Sequence, residues 1–594
     1  MKSWGIGDVA RLLGVKVHVI RYWESELPLL SPRKGVSGRR VYSANDVRML
    51  MRFRHLLYDR KFTVEGAKQR IWEEIGSGDP DRAARFAEIR TDLIEALMTV
   101  RRTRGTAAPG SDDARAPAAP AGERDERITR LAAAGQGHLF LHWEDRPSRM
   151  KQRLLEDLAG LDVALLGELR DQVAAQSAAS AVTGGDASAA PAGPPDIAPA
   201  PYVPLRSSAG DAEALAAGEE EIRRGRTALL TVAGGQGSRL GLEGPKGMFS
   251  VTPLRGLTLF ALFAEKMLAA RRWYGAQIPW LIMTGPQNYD ATEEYFRANK
   301  WFGLGRDTVR MFVQGSVPSF SPEGLLLMAP DGGLLFNPNG HGGVIDGLRS
   351  SGALAEVRAK GVDHLFYFQV DNPLVRVPDP VFLGFHQKAR SRFSAKVIAK
   401  AYPEEKLGVA VVRNGTSSII EYSDLDPSLM SARTPDGSLL YSQGSIAIHV
   451  LDTGFLADPG LRLPWHVARK KVKTLNPVPG GTEIVERDAV KMEMFVFDAI
   501  PLAGRALFFE TERAEEFAPL KNREGPDSIA TCRAGQVEQA ARWLSSCGVD
   551  VPRDEKGRPC HVIEISPLFA MDRAVLAARR GLLKDRINED TLLA

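Results

Sequence analysis

Cysteine is almost absent from this 594-residue chain: Cys532, Cys547 and Cys560 are the three it has, unevenly spaced near one end. Neither a disulfide framework nor a zinc site is expected from so few thiols. Long hydrophobic runs are missing too, and no stretch approaches the length that crosses a bilayer. The opening Met1-Lys2-Ser3-Trp4-Gly5 lacks the apolar segment of a secretory signal. A cytoplasmic protein without a membrane partner is expected. Net charge is small, at +4, but it is unevenly spread, because residues 1–75 carry 15 Lys/Arg against 8 Asp/Glu. The other residues together therefore sum to −3. Only the first segment has the positive excess that suits a polyanion. With 44% hydrophobic and 25% charged residues, the composition is that of a folded protein, and the length suggests about three or four domains.

What is present in quantity is glycine, and its densest use is in residues 227–247, TALLTVAGGQGSRLGLEGPKG. Residues 228–232 are an apolar, β-prone run that reads as a buried strand. Gly234, Gly235 and Gly237 then supply a turn without Cβ atoms, so backbone N–H groups can approach a phosphate. Arg239 and Lys246 add two cations within reach of the same anion. The spacing matches neither the P-loop nor the dinucleotide G-x-G-x-x-G.

Downstream, residues 279–283, 309–313, 365–370 and 395–399 are further strand-like runs, with a helical pattern over 289–299. Strands alternating with helices predict a mostly parallel sheet, whose ligands lie beyond the C-terminal strand ends. Asp371 sits where one such strand ends, and a carboxylate there, facing a phosphate loop, is where a nucleotide Mg²⁺ would be held. His138 and His142 have helical i, i+4 spacing, but without a third ligand nearby they are expected to pack or cap.

The long word G-G-x-G-x-R-L-G-x-x-x-P-K-G resembles the signature loop of the UDP-N-acetylhexosamine pyrophosphorylase family, which makes sugar nucleotides. Other stretches are similar to the family in the same order. They include A-G-Q-G-H-L-F-L-H-W-E from Ala134, F-V-Q-G at 312–315, N-P-N-G-H-G-G at 337–343, Q-V-D-N at 369–372, E-Y-S-D-L at 421–425, K-M-E-M-F-V-F-D at 491–498 and E-F-A-P-L-K-N at 516–522. The resemblance implies a helical region over 123–225 with a disordered loop near 177–200. It further implies an α/β Rossmann-like nucleotidyltransferase (GT-A-like) domain over 226–525 and a small C-terminal subdomain over 526–594. By it, Val232, Ala233, Gly234, Gly235, Gln314 and Gly340 would hold the uridine. Lys491 would meet the nucleotide phosphates, and Arg239 and Lys246 would grip the triphosphate. The sugar side would be His341, Gly408, Glu421, Tyr422, Ser445, Phe495 and Phe497, with Lys521 on the sugar phosphate. The reaction implied is UTP plus a sugar 1-phosphate giving a UDP-sugar, UDP-N-acetylglucosamine first among them, and pyrophosphate. Ser445, Ile448 and His341 depart from the family words, all on the acceptor side, so the sugar is less defined than the nucleotide.

In residues 1–75, short helical patterns flank Gly14, followed by a basic stretch with Arg33, Lys34, Arg39 and Arg40 and helical patterns over 44–58 and 63–75. Two helices about a glycine turn are the helix-turn-helix pattern. The words I-G-D-V-A-R-L-L-G-V, I-R-Y-W-E and G-R-R-V-Y-S-A-N-D-V resemble the winged helix-turn-helix domain of MerR-type regulators. The resemblance implies double-stranded DNA as partner, with Lys16, His18, Arg21 and Tyr22 toward the major groove. Arg39, Arg40 and Tyr42 would lie on the phosphates. A stripe of Phe86, Ile89, Leu93, Leu97 and Val100 over 82–102 would make a homodimer, ahead of a flexible tether at 105–122. Two alternatives stay open: the pyrophosphorylase-like half could only sense a sugar nucleotide, and the first segment could serve only to dimerise.

Overall fold

The computed structural model describes residues 4–13, 15, 17–26, 33–34, 40–59, 64, 67, 128–129, 131–182, 196–205, 208–479 and 481–594. The chain divides into two compact units, Met1–Ala118 and Ala119–Ala594.

In the first unit, helices Ile6–Leu13 and Val17–Glu26 lie beside a three-stranded antiparallel sheet of Trp4–Gly5, Arg33–Lys34 and Arg40–Tyr42. The helix Ala44–Arg54 starts at Ser43, whose hydroxyl accepts from Asp46 N while Ser43 N donates to the Asp46 carboxylate. Such a reciprocal cap satisfies amides that would otherwise lack partners. Val9, Ile20, Val47 and Leu50 bury a common face, and Trp23 meets Phe53 edge-on at 5.7 Å. The expected helix over 44–58 ends at Arg54 and continues as one wider turn, His55–Asp59. Tyr42 corrects the sequence reading. Its ring is fully buried in this core and its hydroxyl donates to Glu24, so the ring is spent on packing rather than on a phosphate. Lys16, Arg39, the stripe over 82–102 and the tether lie outside the described residues, Arg40 is described in its backbone alone, and only Val64 and Ala67 are described of the helix expected over 63–75.

The second unit is built on a ten-stranded sheet. Thr227–Ala233 is its centre, with His364–Gln369 on one side and Trp280–Thr284 then Val309–Val313 on the other, all parallel. The strand positions agree with the apolar runs to within two residues. The sheet is nevertheless mixed rather than mostly parallel. Gln443–Asp452 joins His364–Gln369 antiparallel, and Phe393–Ala399, Val409–Arg413 and Thr416–Ile420 continue from it antiparallel. Side-chain period cannot reveal strand direction, since both directions alternate faces alike. The loop expected over 177–200 is also corrected. Residues up to Val182 extend the helix Val163–Val182, and Ile197–Pro199 is a strand on Val409–Arg413, while 183–195 are outside the described residues.

Aromatic and aliphatic groups fill both faces of the sheet. On one, Phe260, Trp280 and Phe296 interlock at 5.1–6.4 Å. On the other, His449 lies fully buried, its ring 5.1 Å from Tyr367 and 5.0 Å from Phe393, with no hydrogen-bond partner on either nitrogen among the described residues. Burial pushes its pKa down to about 3. The unfolded chain takes up this proton near pH 6.5 and the folded chain does not, so stability falls as pH drops below that value. Replacing His449 with Phe is expected to keep the packing and to remove about one proton, or about 1.4 kcal/mol per pH unit, from the acid dependence between pH 6 and 4. Denaturant titrations of the two proteins across that range measure the difference.

Candidate functional site

The parallel arrangement brings four strand ends to one edge. Thr227–Ala233 delivers Gly234, Trp280–Thr284 delivers Gly285, Val309–Val313 delivers Gln314, and His364–Gln369 is followed by Asp371. This is the edge where open α/β sheets take their ligands. The Gly-rich segment folds back on itself, with Gly237 N on Gly244 O at 2.8 Å and Lys246 N on Gly235 O at 3.1 Å. That return places the Lys246 ammonium 3.4 Å from the Asp371 carboxylate and 3.3 Å from Leu520 O. Leu520 N in turn donates to Asp371 O at 2.8 Å, next in the chain to Lys521. Lys246, Asp371 and the 520–521 segment thus share one cleft. Arg239 is exposed and makes no ion pair among the described residues.

A second set of close contacts adjoins the turn. The Gln314 amide donates to Gly340 O at 2.7 Å, and a Cβ on Gly234 would stand 2.8 Å from Gln314 Oε1, so a side chain there would push the Gln314 amide aside. Gly340 holds φ +79 and faces Met494 O, where any side chain would collide. Beyond it, Gly342 N donates to Met494 O at 2.7 Å. The two loops that carry Gln314 and His341 are thereby fastened to the Met494–Phe495 segment.

His341 stacks on Phe495 at 5.4 Å and leans on Phe497 at 5.7 Å. Burial lowers its pKa to about 4, and its Nδ1 accepts from Val496 N. The ring is therefore neutral at ordinary pH with its proton on Nε2. Burial raises the Glu421 carboxyl, which lies among Asp424, Asp498, His466 and Lys521. A Cβ on Gly408 would stand 3.4 Å from Glu421 Oε1, and Gly408 O accepts from Ser445 N at 2.7 Å. Tyr422 is half-buried beside Glu421. Lys521 is 3.6 Å from Asp527. Lys491 lies on Gly481–Glu493 opposite Ala468, its pKa lowered by burial and by Lys470, and it has no ion pair among the described residues. The expected sugar residues are thus brought together, whereas Arg239 and Lys491 have no contact that ties them to Asp371.

Comparison with known proteins bears on this geometry. Residues 203–524 match the model for UTP–glucose-1-phosphate uridylyltransferase. The chain belongs to that uridylyltransferase family. Residues 5–73 match the model for MerR HTH family regulatory proteins. Among similar sequences, human UDP-N-acetylhexosamine pyrophosphorylase-like protein 1 is 34% identical over 76% of this chain and 93% of its own. The UDP-N-acetylglucosamine pyrophosphorylase of Saccharomyces cerevisiae is 30% identical over 76% of this chain and 96% of its own. A crystal structure of the Trypanosoma brucei uridine diphosphate N-acetylglucosamine pyrophosphorylase has the same fold, with TM-score 0.65 and 24% identity, covering 82% of this chain and 99% of that one.

Two residues of this uridylyltransferase-family site were not legible in the sequence. Asn288 is buried and donates to Gly234 O at 2.8 Å and Gly235 O at 3.2 Å, so it braces the Gly-rich turn from a distant helix start. His466 pairs with Asp498 at 2.8 Å and packs on Phe495 at 4.5 Å; the Asp498 carboxylate raises its pKa. Single polar residues in ordinary contexts carry no pattern to find them by. His138 Nε2 donates to Leu326 O at 2.8 Å, a packing role, and no group of three metal-ligating side chains occurs among the described residues.

The second half of P-K-G also has a steric explanation. A Cβ on Gly247 would stand 2.2 Å from the buried Phe260 ring, which Trp280 and Phe296 hold in place. Gly247→Ala is expected to destabilise the protein by about 1–3 kcal/mol, the usual range for overpacking. Thermal denaturation of the purified variant measures it.

Proposed function

We propose that residues 119–594 transfer a uridylyl group from UTP to a sugar 1-phosphate, releasing pyrophosphate, with N-acetylglucosamine 1-phosphate the first acceptor to test. The observation that carries this reading is the meeting of Lys246, Asp371 and the 520–521 segment at the mouth of the Gly-rich turn. Family membership and the names of the relatives support it. A sugar-phosphate oxygen would attack the α-phosphorus, and the bond to the bridging oxygen of the β-phosphate would break with its electrons leaving on pyrophosphate. No nucleophilic side chain is needed, because the work is positioning and neutralising charge. The turn's bare amides and Lys246 would hold the phosphates, with Arg239 and Lys491 as candidate outer cations and Lys521 on the incoming phosphate. Mg²⁺ is usually bound through one or two carboxylates together with substrate phosphates. The single, half-buried Asp371 carboxylate fits that donor set, and an ion held there would neutralise phosphate charge. On the acceptor side, neutral His341 would donate from Nε2, Glu421 would accept from sugar hydroxyls, and Gly408, Tyr422, Ser445, Phe495 and Phe497 would shape the pocket.

Lys246→Ala is expected to lower turnover about 100-fold or more, the scale of losing one charge-stabilising donor. Pyrophosphate release from UTP with a panel of sugar 1-phosphates measures it. Activity within about threefold of wild type would remove Lys246 from the phosphates, and no release with any sugar would favour a sensor.

We further propose that residues 5–73 form a winged helix-turn-helix that binds double-stranded DNA as a homodimer. His18, Arg21 and Tyr22 support this reading, since all three are exposed on Val17–Glu26 at spacings that share one face. Lys16 would join them toward the major groove, and Arg39 and Arg40 would add phosphate contacts. Binding to a duplex is expected to weaken steeply with salt, and Arg21→Ala should cost about 1–3 kcal/mol of affinity. Fluorescence anisotropy with labelled duplexes at several salt concentrations checks both, and no binding even at low salt would end the proposal.

A further inference from the structure

Asn372 follows the Asp371 carboxylate directly, yet it is 4% exposed and both ends of its amide are engaged inside the protein. Its Nδ2 donates to Glu516 O at 2.6 Å, and its Oδ1 accepts from Ala518 N at 3.2 Å. It is therefore closed to substrate, but it clips the strand-end loop to the very segment that leads to Lys521. A third bond, Leu520 N to Asp371 O at 2.8 Å, extends the seam.

Each side of the clip is anchored in the core. Glu516, 5% exposed, accepts from Thr511 Oγ1 at 2.8 Å and pairs with Lys396, a fully buried lysine on Phe393–Ala399 that also bonds Asp379 at 2.6 Å. On the other side, the Lys266 amino group donates to Pro373 O and Val375 O, each at 2.6 Å, and so fixes the loop just past Asn372. Buried charges with this many partners have little freedom to move, because any departure would strand an unpaired ion in the interior. The Asn372 amide is the piece that transmits that rigidity to the backbone before Lys521.

We propose that Asn372 is a positioning residue that fixes the Lys521 segment against Asp371, so that the acceptor phosphate is held in register with the nucleotide. The inference rests on the site reading above. A displacement of about 1 Å in such an arrangement can cost about 100-fold in rate.

The test is a double-mutant cycle between Asn372 and Lys521, with UTP binding measured separately. Asn372→Ala is expected to lower kcat/KM for the sugar 1-phosphate about 10- to 100-fold, while Kd for UTP with Mg²⁺ changes less than about threefold. In a Lys521→Ala background the same substitution should cost less than about threefold, because the residue it acts through is gone. Asn372→Asp, which keeps the side-chain shape and the acceptor for Ala518 N but loses the donor to Glu516 O, should show the same pattern if the alanine variant folds poorly. An equal loss in both backgrounds, or UTP affinity falling as far as kcat/KM, would overturn the proposal. Hydrogen–deuterium exchange gives a readout without turnover: amides of 516–521 should exchange faster in Asn372→Ala while those of 234–247 do not. If the wild-type chain turns over no sugar 1-phosphate, the enzymatic reading fails, and the clip then stands or falls on that exchange pattern alone.

Discussion

Polyphosphate is a concentrated negative charge, and a protein that holds it must supply donors and cations that are already in place. In the proposed site that requirement would be met by the position of one strand. Thr227–Ala233 runs between parallel neighbours, so the loops that leave it and its neighbours emerge on the same edge. The Gly-rich turn, Gln314 and Asp371 are neighbours for that reason. The turn then closes on itself through Gly237–Gly244 and Gly235–Lys246 bonds, which aims Lys246 at Asp371 without any special property of the lysine.

The proposed acceptor side follows a different logic. It is built from the antiparallel half of the sheet and from the segment after the Gly481–Glu493 strand. Its floor is a run of rings, His466, Phe495, Phe497 and His341, at centroid separations of 4.5–5.7 Å. Flat rings present a stiff surface with few rotatable bonds, a suitable wall for a sugar. Partly buried carboxylates stand around it, and the environment separates their states: burial raises Glu421, while Asp498 keeps His466 protonated to higher pH.

Between the two sides runs a buried ionic chain, Asp379–Lys396–Glu516. Burying three charges is rarely a gain in stability over apolar packing of equal volume. Their presence beneath the site is better explained by rigidity, since carboxylates and an ammonium without water tolerate few geometries. The strand-end loop and the Lys521 segment both hang from that chain.

Much of this was legible from residues alone. The strand before the glycines, the carboxylate after the 365–370 run and the ordered words from Ala134 to Asn522 are local patterns, and local patterns survive in sequence. Apolar runs identified five of the ten strands of the sheet, Thr227–Ala233, Trp280–Thr284, Val309–Val313, His364–Gln369 and Phe393–Ala399, because burial of alternate or continuous faces leaves a mark whatever the partner. Strand direction left no such mark, and the sheet proved mixed. The roles of Asn288, Asn372 and His466 were invisible because each acts through hydrogen bonds or ring contacts to residues far along the chain. Tyr42 shows the reverse, a residue in a basic stretch whose ring the core claimed. The sequence by itself determined which backbone could turn tightly and which side chains carry charge. Only the tertiary structure decided which of those charges meet, since a cleft is formed by segments hundreds of residues apart and distance in space is not written in spacing along the chain.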